Sequence, residues 1–202
     1  GAVMCGISGF LAADPLPAGH RRALDAMTDS LAHRGPDDRD TWLDEESGVG
    51  LGHRRLSIID LSPEGRQPMH SASQRYVIVF NGEIYNYRQL GAELQQRGIA
   101  FRGHSDTEVM LAAVEQWGVE DALRRANGMF AIALWDRSDK RLHLARDRVG
   151  MKPLYYGWAG STLLFGSELK SLLAHGQLER EIDPHAIEEY FALGYVAEPR
   201  TI

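Results

Sequence analysis

The chain has 202 residues, 44 % apolar and 25 % charged, with 28 acidic against 22 basic side chains and a net charge of -6. Such a composition supports a globular core and argues against a nucleic-acid surface, which needs a basic stripe. No apolar run is long enough to span a bilayer, no basic-then-apolar signal opens the chain, and the eight histidines show neither HExxH nor paired Cys/His spacing, so neither a membrane partner nor a protein-built metal site is expected.

Residues 5–12 predict a short apolar strand, and residues 18–32 an amphipathic helix with Leu24, Met27 and Leu31 at helical spacing. His33-Arg34-Gly35-Pro36-Asp37-Asp38 reads as a polar loop. Strands are expected near 39–44 and 49–60, then a loop over 61–74 with Pro63, Gly65 and Pro68. Tyr76-Val77-Ile78-Val79-Phe80 has the continuous apolar character of a strand buried on both faces. A helix is predicted from about Asn86 to 96, stopped by Gly98. Ser105 and Glu108 have capping-box spacing at the start of the next helix, whose stripe is Met110, Ala113, Val114 and Trp117. A short helix near 119–126 leads to a central strand from Met129 to Trp135, and Leu142 and Leu144 alternate as in a half-exposed strand. A hairpin around Ala159-Gly160 joins strands near 153–158 and 162–166, and helices near 168–174 and 184–193 follow. Strands come in adjacent groups, so α+β with antiparallel sheets is favoured over alternating βαβ; two sheets face to face with helices outside would cover all the apolar faces.

Chemistry concentrates at a few points. Cys5 is the lone cysteine. With no export signal it points to a reducing cytoplasm. It is either a small buried hydrophobe of the first strand or a nucleophile whose own free α-amine serves as base. The second role requires Met4 to be an initiator that is removed, with Gly1-Ala2-Val3 a cloning remnant. Asn81-Gly82-Glu83 is either a type I′ hairpin turn or a side-chain amide beside a glycine N–H, two neutral donors suited to a tetrahedral oxyanion. Arg54 and Arg55 must point to opposite faces of their strand, and alternation alone does not say which meets a ligand. A structural ion pair with Asp37, Asp60 or Asp147 is the plainer reading. Asp106 suits the first helical turn and could also receive an ammonium group. Arg146-Asp147-Arg148-Val149-Gly150 suggests only a salt-bridged loop. A thiol with a base, two oxyanion donors, an arginine and an acid together fit a zwitterionic amino acid with a side-chain carboxamide, that is, glutamine.

The same residues resemble the class II (N-terminal nucleophile, purF-type) glutamine amidotransferase domain, in its asparagine synthetase branch. The likeness runs through Cys5-Gly6-Ile7-Ser8-Gly9, His33-Arg34-Gly35-Pro36-Asp37, Arg55-Leu56-Ser57-Ile58-Ile59-Asp60, Asn81-Gly82-Glu83-Ile84-Tyr85-Asn86-Tyr87 and Ser105-Asp106-Thr107-Glu108. It continues through Gly128-Met129-Phe130-Ala131, Arg146 to Tyr156 and Ser167-Glu168-Leu169-Lys170. The resemblance implies a four-layer α/β/β/α sandwich over 5–202. It implies Cys5 as nucleophile and Asn81 with the Gly82 N–H as oxyanion hole. It implies a glutamine site of Arg55 (for the carboxylate), Leu56, Ile58 and Ile59, with Glu83 and Asp106 at the α-amino end. No cofactor is implied for this domain. ATP and magnesium would belong to a carboxyl-terminal synthetase domain, the expected partner beside L-glutamine, and a homodimer is compatible. The chain shows no phosphate-cradling glycine loop or acidic magnesium cluster, so an excised amino-terminal domain is expected. Other acceptors than aspartate (a sugar acid, a natural-product carboxylate) and an idle docking module are the alternatives.

Overall fold

A computed structural model describes residues 4–13, 19–56, 65–179 and 182–197. Two antiparallel sheets pack face to face, with helices on both outer faces, so the molecule is an α+β sandwich of four layers. The first sheet has strand order β2-β3-β1-β9-β8, from β1 (Gly6–Leu11), β2 (Asp38–Asp44), β3 (Val49–Arg55), β8 (Tyr155–Ala159) and β9 (Thr162–Gly166). The second runs β4-β5-β6-β7, from β4 (Met69–His70), β5 (Tyr76–Ile84), β6 (Gly128–Asp136) and β7 (Arg141–Arg146).

Period-two alternation explains the three apolar layers. From β5, Val77 and Val79 enter the intersheet core with Ile7, Val49, Leu51, Ala131, Ala133, Trp135 and Phe165. Tyr76, Ile78 and Phe80 point the other way, against α2 (Tyr87–Gln96), α3 (Asp106–Trp117) and α4 (Val119–Arg125). On the opposite side, Phe10 and Leu164 meet Leu24 and Met27 of α1 (His20–Asp29) and Leu172 of α5 (Leu169–Leu173). The last helix, α6 (Pro184–Leu193), starts on the Asp183 side chain and ends at Gly194 in the left-handed region.

Several expectations shift. The segment read as loop over 61–74 contains β4, which pairs Met69 with Ile78 and His70 with Val77; two residues carry too little pattern to be seen. β5 does not stop at Phe80 but continues to Ile84, with Asn81 opposite Ala131 and Gly82 opposite Phe130. The Asn-Gly pair is therefore inside a strand, and the hairpin-turn reading is excluded. β3 ends at Arg55, and the expected continuation over 57–60 lies outside the described residues. The capping box is half made. Ser105 Oγ accepts the Glu108 N–H at 3.2 Å, whereas the Glu108 carboxylate accepts from Arg102 and Gly103, both at 2.8 Å. The β8–β9 hairpin turns at Gly160, whose φ of 60° is one glycine adopts without strain.

Candidate active site

The same alternation settles what reaches one end of the intersheet layer. In β3, Val49 and Leu51 face the second sheet, so His53 and Arg55 do too. In β5, Val77 and Val79 are followed on their face by Asn81 and Glu83. In β1 the inward Ile7 is preceded on that face by Cys5. The His53 Nε2–H donates to the Phe80 carbonyl at 3.2 Å, which ties the end of β3 to β5 immediately before Asn81. Burial, the largest influence, holds the His53 imidazole down at about 4, so at neutral pH it is the uncharged Nε2–H tautomer.

Arg54 and Arg55 separate as strand geometry requires. Arg54 turns to α1, donating to Thr28 O at 3.3 Å and to Asp29 at 2.6 Å. Arg55 lies on the thiol's side, close enough to act electrostatically on Cys5. The ion-pair partner of Arg54 is thus Asp29 of α1, and Asp60 lies outside the described residues.

Cys5 is held from two directions. Its sulfur accepts the Leu56 N–H at 3.4 Å and faces the Leu56 carbonyl at 3.8 Å. Its own carbonyl accepts from Arg34 Nε at 3.1 Å, and Arg34 is braced by Glu168 at 3.1 Å. Glu168 also receives His33 at 2.9 Å and Lys170 at 3.2 Å. Burial pushes the Cys5 thiol up, and the Leu56 N–H, Arg55 and Arg34 only partly counter it. The sulfur is a protonated thiol at neutral pH and needs a base to become a nucleophile.

Asn81 is 1 % exposed and its Nδ2 meets no acceptor among the described residues. A buried amide left that way costs about 1–3 kcal/mol. Gly82 adds a second donor. Along β5 the Phe80 N–H is taken by Gln67 at 2.5 Å and the Ile84 N–H by Asp106 Oδ2 at 2.9 Å, both on the side away from β6. Amides two residues apart share a side, so the Gly82 N–H points there as well. Its partner across the ladder, Phe130, spends its own N–H and C=O on Asp147, as a pair without mutual hydrogen bonds should. Glycine is required at this position for packing: a Cβ would lie 2.2 Å from Met129 O and 2.6 Å from Phe130 Cα. The close approach that selects glycine is thus to β6.

Asp106 sits at the start of α3 and is docked on β5 through Ile84. Burial pushes its carboxyl up, and the neighbouring Glu83 carboxylate adds to this. Two carboxyl groups at one spot form an acidic corner next to the Asn81–Gly82 donors. The structure therefore gathers Cys5, Arg55, Leu56, Asn81, Gly82, Glu83 and Asp106 around one end of the sandwich. Ile58 and Ile59 lie outside the described residues. Among the described residues no group of three or more His, Cys, Asp or Glu could hold a metal ion, and no helix is long and apolar enough to cross a membrane.

Sequence reasoning missed the organisation of the charged turn. Asp147 is not paired with its neighbouring arginines. Burial raises its carboxyl, but the N–H groups of Met151 (2.9 Å), Lys152 (3.0 Å), Phe130 (3.2 Å) and Val149 (3.1 Å) pull it below the usual carboxylate range. Arg146 donates to the Lys152 and Gly150 carbonyls, both at 2.6 Å, and Arg148 to those of Ala126 and Arg124. The loop is held by side-chain bonds to backbone groups, its own and those of Ala126, Arg124 and Phe130, not by a salt bridge. It buries Lys152, which in sequence is only a cation among apolar neighbours.

Residues 4–202 match the family model described as "Glutamine amidotransferase domain". The chain is 42 % identical over 200 residues to asparagine synthetase [glutamine-hydrolyzing] 3 of Bacillus subtilis (strain 168), covering 98 % of this chain and 32 % of that protein. It is 41 % identical over 186 residues to amidase chry2 of Gibberella zeae, covering 86 % of this chain and 27 % of that protein. The chain thus spans about a third of the length of the curated relatives it matches. Among solved structures, the glutamine phosphoribosylpyrophosphate amidotransferase of B. subtilis aligns with a TM-score of 0.67 at 21 % identity, over 89 % of this chain and 46 % of that one. The structure titled as the allosteric regulatory enzyme of purine biosynthesis aligns with a TM-score of 0.72 at 22 % identity, over 89 % of this chain and 45 % of that one. At such identities the likeness is one of fold.

Proposed function

The chain belongs to the glutamine amidotransferase domain family, a family of enzymes, and from that premise we propose that it hydrolyses L-glutamine to glutamate and ammonia through a thioester on Cys5. We assign the ammonia to an ATP-dependent, asparagine synthetase-like ligase part of the full-length protein. The observation that carries the hydrolysis is the partnerless buried amide of Asn81 in the acidic and basic corner that holds the Cys5 sulfur. Standing at the same end of the layer as the thiol and the arginine, that unpaired amide is a donor available to a ligand.

In the proposed cycle Arg55 takes the α-carboxylate of glutamine, and Glu83 with Asp106 takes the α-ammonium; Leu56, Ile58 and Ile59 line the remainder. The thiol cannot ionise unaided, because burial favours its neutral form. The free α-amine of Cys5, exposed by removal of Met4, accepts its proton. Sulfur attacks the carboxamide carbon, and the oxyanion falls between Asn81 Nδ2 and the Gly82 N–H, each such donor being worth about 3 kcal/mol. As the C–N bond breaks, the α-ammonium returns the proton to the leaving nitrogen, and ammonia departs. Water then attacks the thioester, gives a proton to the same amine, and glutamate leaves as the thiol re-forms. A peptide nitrogen has no usable lone pair, so the residues before Cys5 must be gone for this cycle to run. The acceptor is a matter for the rest of the protein: relatives named as synthetases and one named as an amidase match this part at similar identity, 42 % and 41 %, over 98 % and 86 % of the chain.

The test is ammonia release from glutamine by a chain that begins at Cys5, beside the chain retaining Met4 and the Cys5→Ala form of the first. Release is expected only from the unblocked chain with its thiol, and Cys5→Ala should unfold at nearly the same temperature. Equal rates with and without Met4 would end the terminal-amine role. Release from Cys5→Ala would end the nucleophile assignment. An unblocked chain that releases nothing would leave a docking module.

A further inference from the structure

Lys152 is surrounded in a way that does not match its charge. It is 2 % exposed, as buried as the core leucines. Its backbone is fixed on both sides, the N–H donating to Asp147 at 3.0 Å and the carbonyl accepting from Arg146 at 2.6 Å. Its ammonium makes no ion pair among the described residues, and donates instead to the thioether of Met4 at 3.1 Å. A thioether is a weak acceptor, and a buried cation without a better partner is costly. A protein that holds a lysine rigidly in such a place holds it for something other than a methionine.

Building on the glutaminase reading above, we propose that Lys152 belongs to the catalytic centre as a positioning residue, its ammonium lying beside the α-amino nitrogen of Cys5 once Met4 is gone. Two observations put it near: the ammonium meets the side chain of Met4, the residue joined to that nitrogen, and the Cys5 thiol acts on Lys152 electrostatically. Lys152 touches no substrate and acts through Cys5. The groups that face it are the Cys5 thiol, Glu83 and Asp147, which favour its charge, and Arg34, which opposes it, while burial lowers its affinity for a proton most. Arg55 acts on the thiol from β3.

The consequence follows from ordinary proton affinities. Two adjacent amines in a buried site cannot both be charged at low cost. A lysine ordinarily holds its proton to about 10.4 and a terminal amine to about 7.7–8.0. The proton therefore stays on Lys152, and the Cys5 amine is left neutral, the only form that can take the thiol proton. When the proton moves from sulfur to nitrogen, the thiolate formed offsets the new ammonium, so the net charge of the site is unchanged. When the leaving ammonia carries that proton away, the amine is neutral again. Lys152 keeps its own proton throughout.

The experiment is the pH dependence of kcat/KM for ammonia release, using the chain that begins at Cys5 together with its Lys152→Met and Lys152→Arg variants. In Lys152→Met the acid limb is expected about one pH unit higher, with about a tenfold loss at pH 7 carried by kcat rather than KM. Lys152→Arg should restore the wild-type limb. An acid limb unchanged in Lys152→Met, or a loss confined to KM, overturns the proposal. A second measurement needs no variant. Cys5 is the only cysteine, so selective nitrogen-15 cysteine labelling gives one α-amine signal. Its titration midpoint is expected below about 7.7, and a midpoint at or above the usual range overturns the proposal. If the wild-type chain is active and these tests fail, only the role of Lys152 falls; if it releases no ammonia, the glutaminase reading falls and this inference with it.

Discussion

The two ends of the intersheet layer are built from the same strands and the same alternation, yet they hold opposite chemistry. Toward one end the inward residues are Val77, Val49, Leu51 and Trp135, all buried and packed on one another. Toward the other, the same rows continue as Cys5, His53, Arg55, Asn81 and Glu83. A binary pattern that holds for half a strand and then breaks on the core side is a conflict that a folding-only sequence would avoid. Where it breaks on three neighbouring strands at once, the fold has given up packing to make a site. An unpaired donor is not by itself the mark of that end, since Trp135 Nε1 is also buried without a partner among the described residues. The difference lies in the company: the indole belongs to the apolar intersheet cluster, whereas Asn81 shares its end of the layer with Cys5, Arg55 and Glu83.

Substitution at the two ends should therefore move different observables. Trp135→Ala removes a fully buried indole and is expected to cost about 3–5 kcal/mol in urea unfolding, with kcat little changed in the fraction that remains folded. Asn81→Ala is expected to lower kcat on the order of 10²–10³-fold with KM nearly constant, and to leave stability equal or slightly raised because a partnerless amide is removed. If Asn81→Ala instead destabilises as Trp135→Ala does, while activity survives, the contrast between the ends is broken.

His53 stands at the border between them, and pH probes it. Its folded-state imidazole is held at about 4 by burial, against an ordinary 6.5. Between those values the unfolded chain binds a proton that the folded chain refuses, so stability rises with pH through that window and falls on acidification from 6.5 towards 4. The full shift corresponds to about 3 kcal/mol as an upper bound. Urea midpoints from pH 7.5 to 4.5 should show that decline, and His53→Gln, which can keep a donor for Phe80, should flatten it. An unchanged slope would mean that the imidazole is not held neutral between the sheets.

The legible part of this molecule was whatever repeats with a period. The strand runs, the amphipathic α1 and α2 and the apolar stripe of α3 were all readable, because many residues report on the same face. The thiol, the Asn-Gly pair and the arginine pair were readable as chemistry, but their placement was not. Asn81-Gly82 keeps a turn reading open beside the donor reading because local turn propensity is strong; the nine-residue ladder with β6 overrides the turn. Alternation alone does not tell Arg54 from Arg55; the family resemblance points to Arg55, and Asp29 of α1 and the intersheet core give the two faces. The turn around Asp147 was misread as ion pairs because sequence shows charges and not the backbone groups that receive them. Lys152 was invisible for the same reason: its meaning comes from a residue 148 positions away.

The smallest expected effect comes from the brace behind the nucleophile, and it separates positioning from packing at the polar end. Glu168 receives His33, Arg34 and Lys170, and Arg34 in turn holds the Cys5 carbonyl. Burial works against the charged carboxylate, but those three donors outweigh it and bring it down to about 2, against an ordinary 4.5. A depressed carboxylate stabilises the fold above its unfolded value and loses that contribution as pH falls through 4.5 towards 2. The side chain is 27 % exposed, so solvent and salt weaken the interaction to about 1–2 kcal/mol. Glu168→Gln should cost that much at pH 7 and progressively less below pH 4.5, where the wild-type carboxylate is itself becoming protonated. Comparing the two chains at each pH cancels the His53 contribution, which both share. Since Gln still accepts from Arg34, kcat should fall only a few-fold, about 1 kcal/mol or less. A cost that stays constant down to pH 2.5 would show that the residue contributes shape and not charge, and Arg34 would then owe its position to something else in the polar end.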